Sequence, residues 1–390
     1  MAITSGWVHT ARMDLLAIFL WILALLGLGQ AVMGWVLLRR FGARAGVAPA
    51  LRAPVSVLKP LCGDEPLLEV ALESLCRQDF APMQIVFGVQ DSADPALAVV
   101  ARLRARFPDR DIALVVDATA HGRNPKISNL INMLPVAQHD ILVMADADMH
   151  VALDYLSRVV AALERPGVGL VTTLYTGLPA RPGLVGELGA SGINFGFLPS
   201  ALIGRALGRE DCLGATMALH RDVLARIGGL PALADHLADD NVLGQKVRGL
   251  GLGVALATTI PATTVAEATL AELARHELRW ARTIRALEPA GFAASILQYK
   301  LIWAGLALLA APDLSGLGFF AAILAGGALV AHGTGRSLGL HGKELAFARL
   351  LWLLPLRELM SVSIWVAAHA GTGVEWRGQR LHATPAREKL

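Results

Sequence analysis

Cysteine is scarce in this chain, and its positive and negative charges nearly cancel. Only 3 of the 390 residues are cysteines, and Cys62, Cys76 and Cys212 lack the spacing of metal ligands. We therefore expect them to be reduced core residues rather than a zinc site. The formal net charge of +3 is small, and no basic stretch is interleaved with aromatic residues as a nucleic-acid groove requires. Nucleic-acid binding is set aside on these grounds.

Apolar residues, in contrast, are abundant. They make up 54% of the chain, which is too apolar for an ordinary soluble enzyme, while 17% charged residues are too many for a pure transporter. Residues 15–38 form an apolar run long enough to cross about 30 Å of hydrocarbon as a helix. The run is too long for a signal peptide and has no small-residue cleavage site. Arg39, Arg40 and Arg44 follow it and predict that the next part of the chain is cytoplasmic.

Strand-like and helix-like stretches alternate from residue 55 to residue 148. The strand-like stretches read VSVLKPL, QIVFGVQD, DIALVVD and ILVMADAD, and the helix-like ones are residues 65–77, 95–106 and 127–137. This alternation predicts an α/β domain with a mainly parallel sheet. The first strand is not followed by Gly-x-Gly-x-x-Gly, and no Gly-Lys-Ser/Thr phosphate loop is present. These absences argue against a dinucleotide fold and a P-loop.

Two aspartates close the fourth strand-like stretch. The apolar run before them is typical of a strand buried on both faces, so Asp146 and Asp148 are expected at the carboxyl edge of the sheet. Side chains two residues apart on an extended chain point the same way, so both carboxylates could bind one hard divalent cation and the phosphates that it carries. For so short a motif, a capped turn between strand and helix is the structural alternative.

Longer phrases carry a family resemblance. The stretches LKPLCGDEPLLEVALESLCRQDF, VQDSADPA and NPKISNL resemble the ceramide glucosyltransferase family in order and spacing. Within that family, RQDF, IVFGVQD and KISNLINMLP are most similar to the bacterial hopanoid-biosynthesis glycosyltransferases. The resemblance covers residues 55–288. It implies a GT-A type nucleotide-sugar-binding domain that uses a nucleotide diphosphate sugar and inverts the anomeric carbon.

The resemblance also implies roles for single residues. Asp91 matches the aspartate that recognises the uracil ring, and a turn cap is the alternative. Lys126 and Asn129 match a loop beside the nucleotide. A lysine at a helix start is poorly placed against the helix dipole unless an anionic ligand compensates, with a solvated lysine as the alternative. Asp146 and Asp148 match the metal motif, which implies Mg²⁺ or Mn²⁺ between the carboxylates and the diphosphate.

Two further signatures follow in the chain. The acidic pair in ADHLADDNVLGQKVRGLG resembles the family's acidic dyad. The second member of that dyad, here Asp240, is the catalytic base. The alternative is an acidic pair that only interacts favourably with the dipole of a helix N-terminus. In HELRWARTIR, Arg279 and Trp280 match the family's Arg-Trp and are assigned to donor binding, because a guanidinium holds a diphosphate through its planar fork. His276 stands where the family has Gln or Arg. The helix predicted over residues 270–287 could alternatively rest its arginines on anionic lipid.

The last part of the chain is apolar again. Residues 295–311 and 317–331 predict a helical hairpin in the membrane. Residues 350–368 predict a segment that either spans the membrane or re-enters it. Arg357 and Glu358 lie in the middle of this segment, where charged side chains are costly unless they are paired. The glycine-rich stretch 183–207 is open to three interpretations: a lipid-facing surface, a buried helix pair or a further span. The expected domains are a transmembrane signal anchor (1–45), a cytoplasmic glycosyltransferase domain (50–290), the membrane hairpin with the further segment (291–370) and a basic tail (371–390).

Together these features predict a multi-pass protein of the bacterial inner membrane that transfers a sugar to a membrane lipid. The resemblance implies N-acetylglucosamine from its UDP donor and the hydroxyl of a hopanoid, and the alternative is a ceramide or other lipid with UDP-glucose. A transporter or membrane scaffold would carry its polar residues inside the spans, whereas the motif residues lie in the predicted soluble domain. A processive polysaccharide synthase would need more spans than this chain offers.

Overall fold

The computed structural model describes residues 2–44, 53–342, 345–376 and 379–382 of the chain. Within them the chain packs into two units. Residues 41–182 and 204–266 form the sheet unit, and residues 1–40, 183–203 and 267–390 form the helical unit. Residues 183–203 and 267–290, which the sequence assigned to the glycosyltransferase domain, thus pack with the helices. The lysine and two arginines expected in the basic tail at positions 389, 387 and 377 lie outside the described residues.

The described residues of the sheet unit form ten strands. In chain order they are β1 (Val55–Pro60), β2 (Met83–Val89), β3 (Asp111–Val116), β4 (Ile141–Ala145), β5 (Met149–His150), β6 (Val168–Thr172), β7 (Thr176–Pro179), β8 (Thr216–His220), β9 (Gly253–Leu256) and β10 (Ala262–Val265). Seven form one sheet in the order β3-β2-β1-β4-β8-β6-β9, and β5-β10-β7 form a second. In the large sheet only β8 runs antiparallel to its neighbours. The predicted mainly parallel sheet is confirmed.

The described part of the chain has fourteen α-helices. They are α1 (Ala2–Ala43), α2 (Leu68–Cys76), α3 (Ala96–Arg106), α4 (Pro125–Met133), α5 (Tyr155–Leu163), α6 (Leu184–Ser191), α7 (Leu198–Ala206), α8 (Arg221–Arg226), α9 (Asp239–Gly249), α10 (Leu270–Leu287), α11 (Pro289–Ala294), α12 (Lys300–Ala310), α13 (Leu314–Ser337) and α14 (Phe347–Ala368). A capping box of Thr269 and Glu272 starts α10, so that helix has the bounds that the sequence predicts.

The core of the sheet unit explains why the central strands read as continuous apolar runs. Every residue of β2 and β4 is buried, because helices cover both faces of a parallel sheet. Cys76 and Cys212 are buried as predicted, and burial raises the pKa of these thiols to about 11 and about 12 respectively. The prediction is wrong for Cys62, which is exposed in the loop after β1.

Among the described residues, three helices of the helical unit are long and apolar enough to cross a membrane: residues 15–43 of α1, α13 and α14. The pair formed by residues 289–298 and α12 passes the same test but is bent by 59°. α12 alone has 11 residues, about half of what a span requires. The predicted hairpin therefore has one continuous arm, α13, and one broken arm.

The glycine-rich stretch 183–207 is helical, and most of its residues are buried or half-buried. It forms α6, a π-helical stretch (Gly192–Phe197) and α7. A Cβ atom on Gly34 of α1 would lie 2.5 Å from the Cβ atom of Pro199 in α7, so these helices touch where only glycine fits. This burial agrees with the buried-helix interpretation.

The two charges in the middle of α14 are paired. Glu358 accepts hydrogen bonds from the ammonium of Lys300 at 2.6 Å and from the backbone N–H of Leu301 at 2.8 Å. The guanidinium of Arg357 donates to both carboxylate oxygens of Glu277 in α10, at 2.6 and 2.7 Å. Each charge that the sequence marked as costly is thus matched by an opposite charge on another helix.

We expect Lys300→Met to destabilise the helical unit strongly, because it leaves the buried Glu358 carboxylate without its counter-ion. Breaking a buried pair in this way typically costs about 3–5 kcal/mol. Thermal unfolding of the detergent-purified protein measures the loss, and the double variant Lys300→Met, Glu358→Gln should recover much of it.

The matched control is Arg77→Met, which breaks the surface pair of Arg77 and Glu73 in the sheet unit. The Arg77 side chain is 62% exposed, so the control should change stability by less than about 0.5 kcal/mol. Equal losses in Lys300→Met and in the control would show that the buried pair has no special weight.

Candidate active site

The paired aspartates lie directly after β4, at the carboxyl edge of the large sheet. The backbone N–H of Asp146 donates to the carbonyl of Ala215 at 3.3 Å, which keeps the chain beside β8. Asp148 accepts a 2.5 Å hydrogen bond from the hydroxyl of Thr263 in β10. Burial, and then the charge of Asp146, raise the pKa of Asp148. The two carboxylates therefore repel each other, as expected of a pair that shares one cation.

Lys126 reaches this edge from the first turn of α4. Its ammonium lies 2.5 Å from Oδ1 of Asp146 and 4.0 Å from Oδ2 of Asp239. Burial opposes the charge, but Asp146 and Asp239 outweigh it and raise the pKa of Lys126. Because its side chain is only 18% exposed, the alternative of a solvated lysine does not fit.

Asn124 makes hydrogen bonds that connect the start of α4 to the segment at the start of α9. Its Oδ1 caps α4 by accepting from the N–H of Ile127 at 3.2 Å, and its Nδ2 donates to the carbonyl of His236 at 2.9 Å and to Oδ1 of Asp239 at 3.2 Å. The sequence analysis did not single out Asn124. An Asn followed by Pro at a helix start is a capping pattern that could have identified it.

Asp239 and Asp240 occupy the first turn of α9. Asp240 accepts a 2.7 Å hydrogen bond from the N–H of Asn241. Gly214 (φ +72°) passes so close that a Cβ there would lie 2.7 Å from Oδ2 of Asp240, so a side chain at this position would collide with the carboxylate. Burial, and then the charge of Asp239, raise the pKa of Asp240 to about 7.

Two further side chains, the buried Lys59 and the half-buried Tyr175, belong to the same cluster. Lys59, at the end of β1, is 1% exposed and donates to the carbonyl of Asp146 at 2.5 Å. Burial lowers the pKa of Lys59 to about 8, although Asp148 and Asp146 oppose this shift. Burial, followed by the charges of Asp240, Asp146 and Asp148, raises the pKa of Tyr175. Lys59 lies in the strand-like stretch VSVLKPL and carries no motif of its own. Nothing local distinguishes Tyr175 from any other tyrosine.

Asp91 and Asn129 make structural contacts. Asp91 is exposed after β2 and accepts a 2.8 Å hydrogen bond from the N–H of Ala93, which is the contact of a turn cap. Asn129 is 3% exposed and donates to the carbonyl of Gly88 at 2.8 Å, so it fastens α4 to the end of β2. The uracil role of Asp91 and the nucleotide role of Asn129 stay predictions.

Arg279 and Trp280 lie on α10, in the helical unit, and both are half-buried. The ring of Trp280 meets the ring of His276 edge to face, with centroids 4.3 Å apart and an interplanar angle of 65°. Asp91, Lys126, Asn129, Asp146, Asp148 and Asp240 all belong to the sheet unit. The predicted site residues are thus divided between the two units.

The residues after β4 fit a hard divalent cation that shares its coordination with a diphosphate. No group of three or more His, Cys, Asp and Glu side chains in the described ranges could hold a metal, and the ring of His150 bonds to the hydroxyl of Thr264 instead. Mg²⁺, and Mn²⁺ by its similar preference for oxygen ligands, commonly takes one or two carboxylates and completes its shell with phosphate oxygens and water. Asp146 and Asp148 are such a pair.

The chain is similar to curated ceramide glucosyltransferases. The chain is 32% identical to a ceramide glucosyltransferase of Komagataella phaffii over 28% of this chain and 23% of that protein, and 22% identical to ceramide glucosyltransferase 1 of Caenorhabditis elegans over 60% and 50%. It therefore spans half or less of the length of these curated relatives.

The fold is similar to that of the mannosyltransferase PcManGT from Pyrobaculum calidifontis, solved in complex with GDP-Man and Mn²⁺. The TM-score is 0.50 at 22% identity, over 89% of this chain and 99% of that one. This likeness confirms the predicted GT-A fold. The family model for glycosyl transferase family 21 matches residues 19–388, and the chain is therefore a glycosyltransferase that belongs to family 21.

Proposed function

We propose that this protein transfers a sugar from a uridine diphosphate donor to the hydroxyl of a membrane lipid, with inversion at the anomeric carbon. The observation that carries the proposal is the acidic cluster of the sheet unit. Asp146 and Asp148 follow β4, whereas Asp239 and Asp240 lie in the first turn of α9. Lys126 contacts one member of each pair. An inverting transfer needs such separate acidic groups, one beside the leaving diphosphate and one beside the attacking hydroxyl.

On the leaving side, Asp146 and Asp148 would hold Mg²⁺ or Mn²⁺, which when bound neutralises charge on the diphosphate. Lys126 supplies a buried ammonium on the same side, and its contact with Asp146 keeps it oriented. Arg279 and Trp280 of the helical unit stay assigned to donor binding on the sequence resemblance alone. Asp91 would bind the uracil ring, and Asn129 would maintain the shape of the loop beside the nucleotide.

On the attacking side, Asp240 would accept the proton of the acceptor hydroxyl as its oxygen attacks the anomeric carbon. A pKa of about 7 suits this task, because the carboxylate is then ionised near neutral pH and still basic enough to take a proton. Asp239 maintains this state, since its buried carboxylate raises the pKa of its neighbour.

A lipid acceptor is supported by the helical unit, whose apolar helices α1, α13 and α14 are long enough to cross a bilayer. The names of the curated relatives favour ceramide as the acceptor and glucose as the transferred sugar. The phrases RQDF, IVFGVQD and KISNLINMLP favour a hopanoid acceptor and UDP-N-acetylglucosamine. We place the sheet unit on the cytoplasmic side of a bacterial inner membrane, because Arg39, Arg40 and Arg44 follow the first apolar run.

The proposal predicts that the purified protein glycosylates lipids in detergent or vesicles. UDP-glucose and UDP-N-acetylglucosamine are each offered with ceramide, a hopanoid alcohol and a water-soluble alcohol, and the products are identified by mass spectrometry. We expect transfer to one lipid and poor transfer to the soluble alcohol. Equal rates on the soluble alcohol and on both lipids would contradict a lipid acceptor.

The same assay tests the cytoplasmic placement, because nucleotide sugars do not cross membranes. Inside-out inner-membrane vesicles should use donor added from outside, and intact spheroplasts should not. The reverse pattern would contradict the orientation while leaving the reaction itself supported.

We expect the double variant Asp146→Asn, Asp148→Asn to lose both turnover and Mn²⁺ binding, because it removes both carboxylate ligands of the proposed metal site. Excess chelator should abolish wild-type turnover, and paramagnetic resonance of free Mn²⁺ measures binding without relying on activity. Asp154→Asn is the control, since Asp154 pairs with Arg158 on α5. A double variant that binds Mn²⁺ and transfers sugar like the wild type would exclude this metal site.

We expect Asp240→Asn to lower kcat by about 10²- to 10⁴-fold while donor binding survives, because the amide keeps the shape and cannot accept the proton. The wild-type rate should fall as the pH drops below about 7, where Asp240 is protonated, and this fall should be absent in the variant. Steady-state kinetics across pH and calorimetric donor binding provide both measurements.

The control is Asp222→Asn, which removes an exposed acid from the first turn of α8. It tests the alternative in which an acidic residue only favours the helix dipole, an effect of about 0.3–1 kcal/mol on stability. Near-native turnover of a folded Asp240→Asn protein would reject Asp240 as the base.

A further inference from the structure

The carboxylate of Asp239 has one oxygen that is buried and accepts no hydrogen bond among the described residues. Asp239 as a whole is 7% exposed. Its Oδ1 accepts a hydrogen bond from Nδ2 of Asn124 at 3.2 Å, whereas its Oδ2 accepts none. A buried charged acceptor without a donor is costly, and such groups are rare in folded proteins. A donor for Oδ2 of Asp239 is therefore expected at some stage of the protein's work.

Lys126 is a donor within reach of this oxygen. Its ammonium lies 4.0 Å from Oδ2 of Asp239, just too far for a hydrogen bond, and 2.5 Å from Oδ1 of Asp146. Burial opposes the charge of Lys126, but Asp146 and Asp239 raise its pKa, so it is charged beside either partner. A lysine ammonium has three N–H donors on a flexible four-carbon stem. A short movement of this side chain would thus replace one carboxylate by the other.

The backbone on both sides of the lysine is held by other contacts. Asn124 caps the start of α4, and Asn129 fastens the same helix to the carbonyl of Gly88 at 2.8 Å. The loop that carries Asp146 is held separately, because Lys59 donates to its backbone carbonyl at 2.5 Å. A change of partner by Lys126 therefore requires its side chain alone to move.

The proposed metal site supplies a reason for such a change. Oδ1 of Asp146 is one of the oxygens that a divalent cation would need, and Lys126 contacts that oxygen. An ammonium and a divalent cation on one carboxylate repel each other. Lys126 and the cation therefore compete for Asp146, and Asp239 offers the lysine a second partner.

We propose that Lys126 moves from Asp146 to Oδ2 of Asp239 when a divalent cation binds at the metal site. This inference rests on the proposed function, because the cation is the one of that reaction. It assigns Asp239 as a positioning residue that receives the displaced ammonium. The exchange connects the metal site to the first turn of α9, which also carries Asp240.

The test is binding of Mn²⁺ alone to the full-length protein in detergent at one fixed pH, measured by paramagnetic resonance of free Mn²⁺. Lys126→Met removes the competing ammonium, so it should bind Mn²⁺ about tenfold or more tightly than the wild type. Asp239→Asn removes the second partner of the lysine, so it should bind about threefold or more weakly.

The double variant Lys126→Met, Asp239→Asn separates the exchange from a simple effect of charge. If Asp239 acts through Lys126, its removal has little effect once the lysine is gone, and the double variant should bind within about twofold of Lys126→Met. If Asp239 acted only by attracting the cation, its removal would weaken binding by the same factor in both backgrounds.

Two further variants serve as controls. Asp146→Asn combined with Lys126→Met should abolish the gained affinity, which places the bound ion at the proposed site. Asp222→Asn removes an exposed acid from the first turn of α8 and should bind Mn²⁺ as the wild type does. If Lys126→Met does not fold, as thermal unfolding would show, Lys126→Gln replaces it in every comparison, because it also removes the charge.

The inference is overturned if the lysine variant binds Mn²⁺ no more tightly than the wild type, or if its gained affinity survives Asp146→Asn. It is also overturned if a folded Asp239→Asn protein binds like the wild type, or if Asp239→Asn weakens binding equally with and without the lysine. These outcomes leave the proposed function standing where sugar transfer is still abolished by chelator. Transfer that persists in excess chelator would instead contradict the metal role in the proposed function, whatever the Mn²⁺ titrations show.

Discussion

The candidate site depends on the ion pair between the Lys126 ammonium and the Asp146 carboxylate. The carboxylate of Asp239 lies close to the same ammonium. These residues come from α4, from the end of β4 and from the start of α9, which are separated by long stretches of chain. Four carboxylates gathered at one sheet edge would repel one another strongly in a half-buried environment. Lys126, together with the buried Lys59, supplies positive charge at this edge that offsets part of the repulsion.

The helical unit satisfies the same constraint in an apolar setting. Arg349, Arg357 and Glu358 of α14 pair with partners on α6, α10 and α12 respectively. Removing a charge from water is costly, so each of these groups is retained only with a matched partner. Ion pairs consequently connect α14 to three other helices. These pairs, together with the apolar residues of α14, determine how it packs against them.

Much of this architecture could be predicted from the sequence, because the signals were periodic or local. Continuous apolar runs identified β1, β2, β3 and β4, and the capped pattern over residues 270–287 gave α10 its bounds. The bend between residues 289–298 and α12, and the grouping of residues 183–203 with the helices, could not be read in this way, since they depend on contacts between distant segments. The same is true of Tyr175 and of the contacts that Asn124 makes with His236 and Asp239. Their parts in the site follow from which elements the fold brings together.

The two aspartate pairs have similar sequences, and their surroundings assign them different chemistry. Oδ1 of Asp146 contacts an ammonium and its side chain is 38% exposed, so it can meet a cation and a phosphate at the edge of the sheet. Asp240 lies against Gly214 and beside Asp239. Burial, and then the charge of Asp239, raise the pKa of Asp240 to about 7. Environments that push the pKa values of neighbouring acids apart are the usual means by which proteins separate a charge-stabilising carboxylate from a proton-transferring one. For that reason burial and neighbouring charge, more than the occurrence of Asp pairs in the sequence, support assigning the base to the start of α9.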